Sequence, residues 1–359
     1  MNDVIDWLRA VKEQDGSDLH LTVDKPPLVR IHGELRKLDI PSLSAEKTRE
    51  VIIGLLTERQ RSELEKNLEL DFALNVDNVG RFRGNAHYNR GTLQAAFRLI
   101  AEQVPTMIEL GHRPFLKTLC EEREGLILVT GVTGSGKSTT LASMVEYISR
   151  RRSGVIISIE DPIEYIFDHS RSIVKQRELG ADTHSFSIAL RQALRQDPDV
   201  ILVSELRDLE TLQTAVTAAE TGHLVISTLH TIDAAKSLGR MIDVFPPDQQ
   251  PQIIAQLANA LKAVVSQRLL PAKNGGGRVL ATEIMVMNHA VRAVLRSRKF
   301  EQIPGLMQIG TNEGMYTLDE CLSDLVLEEK ITLDEALIHA RDAHTLESRL
   351  APVKKKLFG

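Results

Sequence analysis

From about residue 115 onward the apolar positions fall into two alternating patterns. Leu126–Thr130, Val155–Ile159, Val200–Val203 and Leu224–Thr228 are short, nearly unbroken apolar runs of strand length. Between them the spacing becomes helical. Leu141, Met144, Val145 and Ile148 share one face, as do Phe186, Ala189, Leu190, Ala193 and Leu194. Leu209, Leu212, Val216 and Ala219 follow before a stop at Gly222. Buried strands alternating with amphipathic helices predict βαβ units and a parallel sheet covered on both faces, hence an α/β fold.

The preceding residues read differently. An amphipathic helix carrying Val4, Trp7, Leu8 and Val11 stops at Gly16. "SDLHLTV" and the pair "LVRIH"/"ELRKL", split at Gly33, predict strands, the last two a hairpin. A helix is expected from Ser44, with a second start at the Thr57-x-x-Gln60 capping box. "DFALNV", "RFRGNAHY" and "TLQAAFRLI" complete a mainly antiparallel sheet. Residues 1–98 are thus expected to form one small α/β domain. Residues 99–114, with Pro105, Gly111 and Pro114, read as a linker, and 115–359 as the second domain. From Pro251 that domain is expected to be mostly helical, through "IIAQLANALKAVVSQRLL" and a Thr332-x-x-Glu335 capping box.

Composition narrows the class. A chain of 359 residues, 42% hydrophobic and 26% charged, suits a two-domain globular protein. A net charge of -5 and the lack of aromatic-basic patches argue against a protein built to grip nucleic acid. Two distant cysteines, Cys120 and Cys321, match no metal or disulfide framework and fit a reduced, cytosolic chain. No apolar run reaches the roughly 18 residues of a membrane span, so membrane association is expected to be peripheral only. The basic tail Lys354–Lys356 reads as a frayed end rather than a lipid anchor.

The chemistry starts at "GVTGSGKST", a match to G-x-x-x-x-G-K-[ST] that follows one predicted strand and opens a predicted helix. Glycines there let backbone N–H groups turn toward phosphates, and the helix N-terminus adds positive potential. Gly131, Thr133, Gly134, Ser135, Gly136, Lys137, Ser138 and Thr139 are the expected nucleotide-binding residues. Lys137 would meet the β- and γ-phosphates, and the Ser138 hydroxyl would ligate Mg²⁺.

In an open parallel sheet, ligands sit beyond the carboxyl ends of the strands. Glu160, Asp161 and Glu164 follow the second of these strands, Glu205 the third and His230 the fourth. Four strand ends would therefore bring a phosphate cradle, carboxylates and an imidazole to one rim. Glu205 is the expected metal-shell acid, with Ser138 as the other metal ligand. Glu160, Glu164 and Glu205 all remain candidates for orienting or deprotonating the attacking water. His230 and His223 could sense the γ-phosphate. An arginine finger is missing from this domain. Alternation puts Arg81, Arg83, Asn85 and His87 on one strand face, and Arg98 lies on a further strand. Arginines supplied across a subunit boundary would make hydrolysis depend on assembly.

The phosphate loop, "ISIEDPIEY", "LRQALRQDPDVILVSELRD" and "TAAETGHLVISTLHT" resemble, in that order, the Walker A, Asp-box, Walker B and His-box motifs of the secretion-ATPase superfamily. The likeness is strongest to its type IV pilus retraction (twitching-motility) branch. It extends through "GSDLHL", "GRFRGNAHYNRG", "RMIDVFPPDQQ", "GGGRVLATEIM" and "GMYTLDECLSDLV". "HAVRAVLRSRK" is similar to that branch's retraction motif and contains Arg292 and Arg296.

The resemblance implies a PAS-like N-terminal α/β domain joined to a RecA-like P-loop ATPase domain. It also implies ATP and Mg²⁺ as cofactors and a homo-hexamer with ATP bound between domains and subunits. The ring would lie at the cytoplasmic face of the inner membrane, under a pilus platform protein, with an accessory retraction ATPase as a further partner. Arg83 and Arg98 would be the trans arginines, and His223 and His230 the His-box pair. Val132 stands where the family usually has proline, Ser204 where it commonly has glycine, and Ser297 where the retraction motif often has glutamate.

Three other readings compete. An accessory retraction ATPase would share these motifs. A pilus-assembly or type II secretion ATPase usually carries a four-cysteine zinc module, which two cysteines cannot build. A non-cycling ATP-binding regulator would not need Lys137, Ser138, Glu160 and Glu205 together.

Overall fold

The computed structural model describes residues 2–100, 103–344, 346–347 and 349–350, so the basic tail lies outside the described residues. The chain forms two compact units. One comprises residues up to 103 plus the segment 164–166, and the other 104–163 and 167 onward.

The first unit is an antiparallel sheet of β1 (Gly16–Leu21), β2 (Leu28–Ile31), β3 (Glu34–Lys37), β4 (Glu69–Val76), β5 (Gly80–Asn89) and β6 (Thr92–Leu99). Their spatial order is β3-β2-β1-β6-β5-β4. The β2–β3 hairpin turns at His32-Gly33, both with positive φ, as a two-residue turn of the type that matches strand twist requires. The helix Asn2–Glu13 buries Val4, Trp7, Leu8 and Val11 in this unit's core, on the face its spacing predicts. The helix Ala45–Leu55 is capped by Ser44, and Glu58–Asn67 by the reciprocal box of Thr57 and Gln60. Each such cap stabilises its helix by about 1 kcal/mol.

The second unit holds seven strands. They are β7 (Gly125–Thr130), β8 (Val155–Glu160), β9 (Ile173–Glu178), β10 (Val200–Val203), β11 (Leu224–Leu229), β12 (Leu261–Pro271) and β13 (Arg278–Val286). The order is β13-β12-β7-β11-β10-β8-β9. Every pair is parallel except β12–β13. β7, β10 and β11 are buried at every position, which explains their unbroken apolar sequence. The core gathers these strands with the helices Phe186–Ala193, Leu209–Glu220, Ala234–Asp243, Gln250–Ala260 and His289–Ser297.

Three expectations are corrected or refined here. The helix through "IIAQLANALKAVVSQRLL" ends at Ala260, and the remainder is β12, paired with both β7 and β13. A strand buried on both faces loses the period-two signature, so its apolar run is indistinguishable from a buried helix by spacing. Val264 and Val265, both fully buried, favour the strand. Residues 104–112, read as linker, belong to the second unit, where Met107 and His112 are buried and Thr106 and Glu109 cap each other's backbone. At Thr332 only half of the capping box forms: the hydroxyl accepts from Glu335 N, while the Glu335 carboxylate bonds His339 Nε2 at 3.1 Å. A full box stands instead at Thr317 and Glu320.

Candidate active site

The phosphate loop lies between the end of β7 and the helix Lys137–Arg151. Gly131, Gly134 and Gly136 all have positive φ. At Gly131 a Cβ would come 2.5 Å from both the Gln267 carbonyl oxygen and Ser135 Oγ, so only glycine lets the loop pack against β12. Gln267, on β12, donates from Nε2 to the Ser135 carbonyl at 2.6 Å and so ties the loop down from outside it. Lys137 is buried, its Nζ donating to the carbonyls of Gly131 at 2.7 Å and Val132 at 3.1 Å. The ammonium is thereby held inside the cradle where a phosphate would compete for it. Ser138 is exposed at the first helical turn, next to Thr139.

Parallel register aligns the neighbouring strand ends: Thr130 pairs with Leu229, and Val203 with both Ser227 and Ile159. Consecutive strands lie about 4.8 Å apart, so the group after β10 sits about 10 Å across from the phosphate loop. Glu205 emerges there. Its Oε1 is 3.1 Å from His230 Nε2, and its Oε2 accepts from Arg207 Nε at 2.9 Å. Arg207 also lies 3.6 Å from Asp161. Two hydroxyl bonds brace this rim, Ser227 Oγ to the Val203 carbonyl and Thr228 Oγ1 to the Ser204 carbonyl, both 2.6 Å. Glu160, buried at the end of β8, accepts from Ser158 Oγ at 2.6 Å and Gln176 Nε2 at 3.1 Å.

The fold thus brings Lys137, Ser138, Glu160, Glu205 and His230 to the ends of four adjacent strands. Glu164 is exposed and falls in the segment grouped with the first unit, whose own strands β5 and β6 carry Arg83 and Arg98. His223 is not at this rim of its own chain. It precedes β11 whereas His230 follows it, and its Nδ1 meets the Ala218 carbonyl at 3.0 Å. A six-residue strand separates the two histidines by about 20 Å.

Several contributors were not singled out by sequence. Arg207 lies two residues from Glu205 and was legible only once its bond was seen. Gln267 was hidden in the stretch read as helix. A cavity of about 410 Å³ beside the loop is lined by Ile232, Arg268, Leu269, Arg278 and His339 as well as loop residues.

Among the described residues no cluster of three His, Cys, Asp or Glu could hold a metal unaided. The donors present, one hydroxyl and one carboxylate, suit a hard cation that takes its other ligands from phosphate and water, as Mg²⁺ does.

Residues 95–319 match the family described as Type II/IV secretion system protein. The chain belongs to it. It is 45% identical to the type IV pilus retraction ATPase PilT of Pseudomonas aeruginosa, over 93% of this chain and 97% of that protein. It is 41% identical to the type IV pilus ATPase PilU of the same organism, over 94% and 89%. The crystal structure of the pilus retraction motor PilT with bound ADP superposes with a TM-score of 0.90 at 46% identity, covering 96% of this chain and 99% of that one. The second unit is accordingly a RecA-like ATPase fold.

Proposed function

We propose that this chain is a Mg²⁺-dependent ATPase motor that works as a homo-hexamer to retract type IV pili. One observation carries the reading. The phosphate cradle, Glu160, Glu205 and His230 meet at four neighbouring strand ends, in a chain similar over nearly its whole length to a pilus retraction ATPase. The PAS-like first domain would supply Arg83 and Arg98 to a neighbouring copy. No described helix is long and apolar enough to cross a membrane. A peripheral position under an inner-membrane platform protein fits that.

Phosphoryl transfer to water needs charge neutralisation and a positioned nucleophile more than covalent chemistry. Lys137 would exchange its two carbonyl partners for β- and γ-phosphate oxygens. Ser138 and Glu205 would hold Mg²⁺, which when bound neutralises charge developing on the phosphates. Glu205 now bonds His230 and Arg207, so a change in its engagement is felt at the end of β11 and at Asp161. Glu160 ends β8, beside β10, and would orient the attacking water.

The test is ATP turnover by the purified chain, with Lys137→Ala and Glu205→Gln as controls, together with complementation of a non-twitching, hyperpiliated retraction mutant. Turnover without restored retraction would remove the pilus assignment and keep the ATPase. Similarity to PilU favours an accessory retraction ATPase as the second reading. Rescue confined to an accessory-ATPase mutant would select it.

A further inference from the structure

The first unit's sheet carries an unusual row of charge. Strand register places Arg30, Asp18, Arg98 and Arg83 directly opposite one another across β2, β1, β6 and β5. Like charges directly opposite on a sheet destabilise it. Arg98 and Arg83 are such a pair, and no carboxylate stands between them. Among the described residues Arg83 finds only Asp71, at 3.9 Å, and Asp71 already accepts from Asn85. Folding alone gives no reason to keep this arrangement. A surface meant to receive an anion does.

Asp18 organises the row. Its side chain is buried, its Oδ1 accepts from Arg98 Nε at 2.8 Å, and its Oδ2 accepts from Ser17 Oγ at 2.7 Å with Arg30 Nε 3.7 Å away. Burial would push this carboxyl up, but the bonds from Ser17 and Arg98 outweigh it and hold it below the usual range, so it is ionised. The Arg98 side chain is 72% exposed, where an ion pair adds little stability. What the bond fixes is direction. A guanidinium held by Nε keeps its two terminal nitrogens, and both are without a protein partner among the described residues.

We propose that Asp18 is the positioning residue of a phosphate clamp: it grips Arg98 from the side so that the free end of the guanidinium meets the γ-phosphate of ATP bound by another copy of this chain. This rests on the reading of Arg98 as an arginine given to a neighbouring subunit. Arg30 braces Asp18 from the opposite side, and Arg83 widens the clamp. Asp18 touches no substrate and acts through Arg98. Lysine cannot replace Arg98, because one ammonium cannot both hold Asp18 sideways and offer a planar fork.

The experiment measures kcat and KM for ATP on the full chain, with the assembly state checked by light scattering, for Asp18→Asn, Arg98→Gln, Arg98→Lys and the double variant Asp18→Asn/Arg98→Gln. Loss of an arginine finger lowers turnover by about 10³-fold or more, and a misplacement of about 1 Å by up to about 10²-fold. Asp18→Asn is therefore expected to lower kcat by up to about 10²-fold, less than loss of Arg98 does, with KM and assembly unchanged. The double variant should be no slower than Arg98→Gln alone, and Arg98→Lys should match Arg98→Gln. If Arg98→Gln turns over normally, the clamp reading falls and this proposal with it. If Arg98→Gln is slow while Asp18→Asn is normal, or if the two losses multiply, only the role of Asp18 is overturned. Should Asp18→Asn not fold, wild-type turnover by Arg98→Lys overturns it equally.

Discussion

His112 offers a quantitative test of how the phosphate-loop helix is held. The imidazole is 6% exposed and its Nε2 lies 2.9 Å from Thr140 Oγ1, in the first turn of the helix Lys137–Arg151, while its Nδ1 has no partner among the described residues. Burial lowers its pKa from 6.5 to about 4, because a charged ring has no solvation there. The folded state therefore prefers the neutral form. Above about pH 6.5 both states are neutral and nothing is lost; as pH falls toward 4 the unfolded chain takes up a proton that the folded one refuses. At about pH 5 this costs roughly 2 kcal/mol relative to pH 7.5, rising to about 3.4 kcal/mol below both pKa values. His112→Gln keeps a polar group near Thr140 and cannot titrate. Urea unfolding followed by circular dichroism, at both pH values, should show wild type losing about 2 kcal/mol more than the variant. Equal losses in the two proteins would refute the reasoning.

Two further outcomes follow from other contacts. Arg341→Ala removes the guanidinium 2.8 Å from Glu283, a carboxylate only 1% exposed whose pKa burial already raises, and so leaves a nearly unpaired buried acid; a stability loss of about 3–5 kcal/mol is expected in thermal melts. Gly131→Ala forces a Cβ against the Gln267 carbonyl and Ser135 Oγ, so fluorescent-nucleotide binding should be lost while the far-ultraviolet circular dichroism spectrum is retained.

Much of the site was legible because its residues hang on strand ends. The run Val200–Val203 is a strand at both boundaries, which put Glu205 at its rim, and the glycine pattern around Lys137 fixed the loop. What escaped was long-range. Gln267 secures the loop from a strand 136 positions removed from Gly131 in sequence, and no local pattern announces that pairing. The His-box resemblance pairs His223 with His230, and only six residues lie between them. An extended strand turns that short spacing into the full depth of the sheet. Arg98 was expected as a trans arginine from the resemblance, but its tether to Asp18 spans 80 positions and needed the antiparallel register to be seen.

The exposed outer strand β3 has a consequence for how copies of the chain can meet. Three of its four residues, Glu34, Arg36 and Lys37, are charged, and all four are open to solvent. Backbone donors and acceptors along such a border invite another strand to zip on, and charged side chains are the usual deterrent. Crowded copies are thereby steered away from runaway polymerisation along this border.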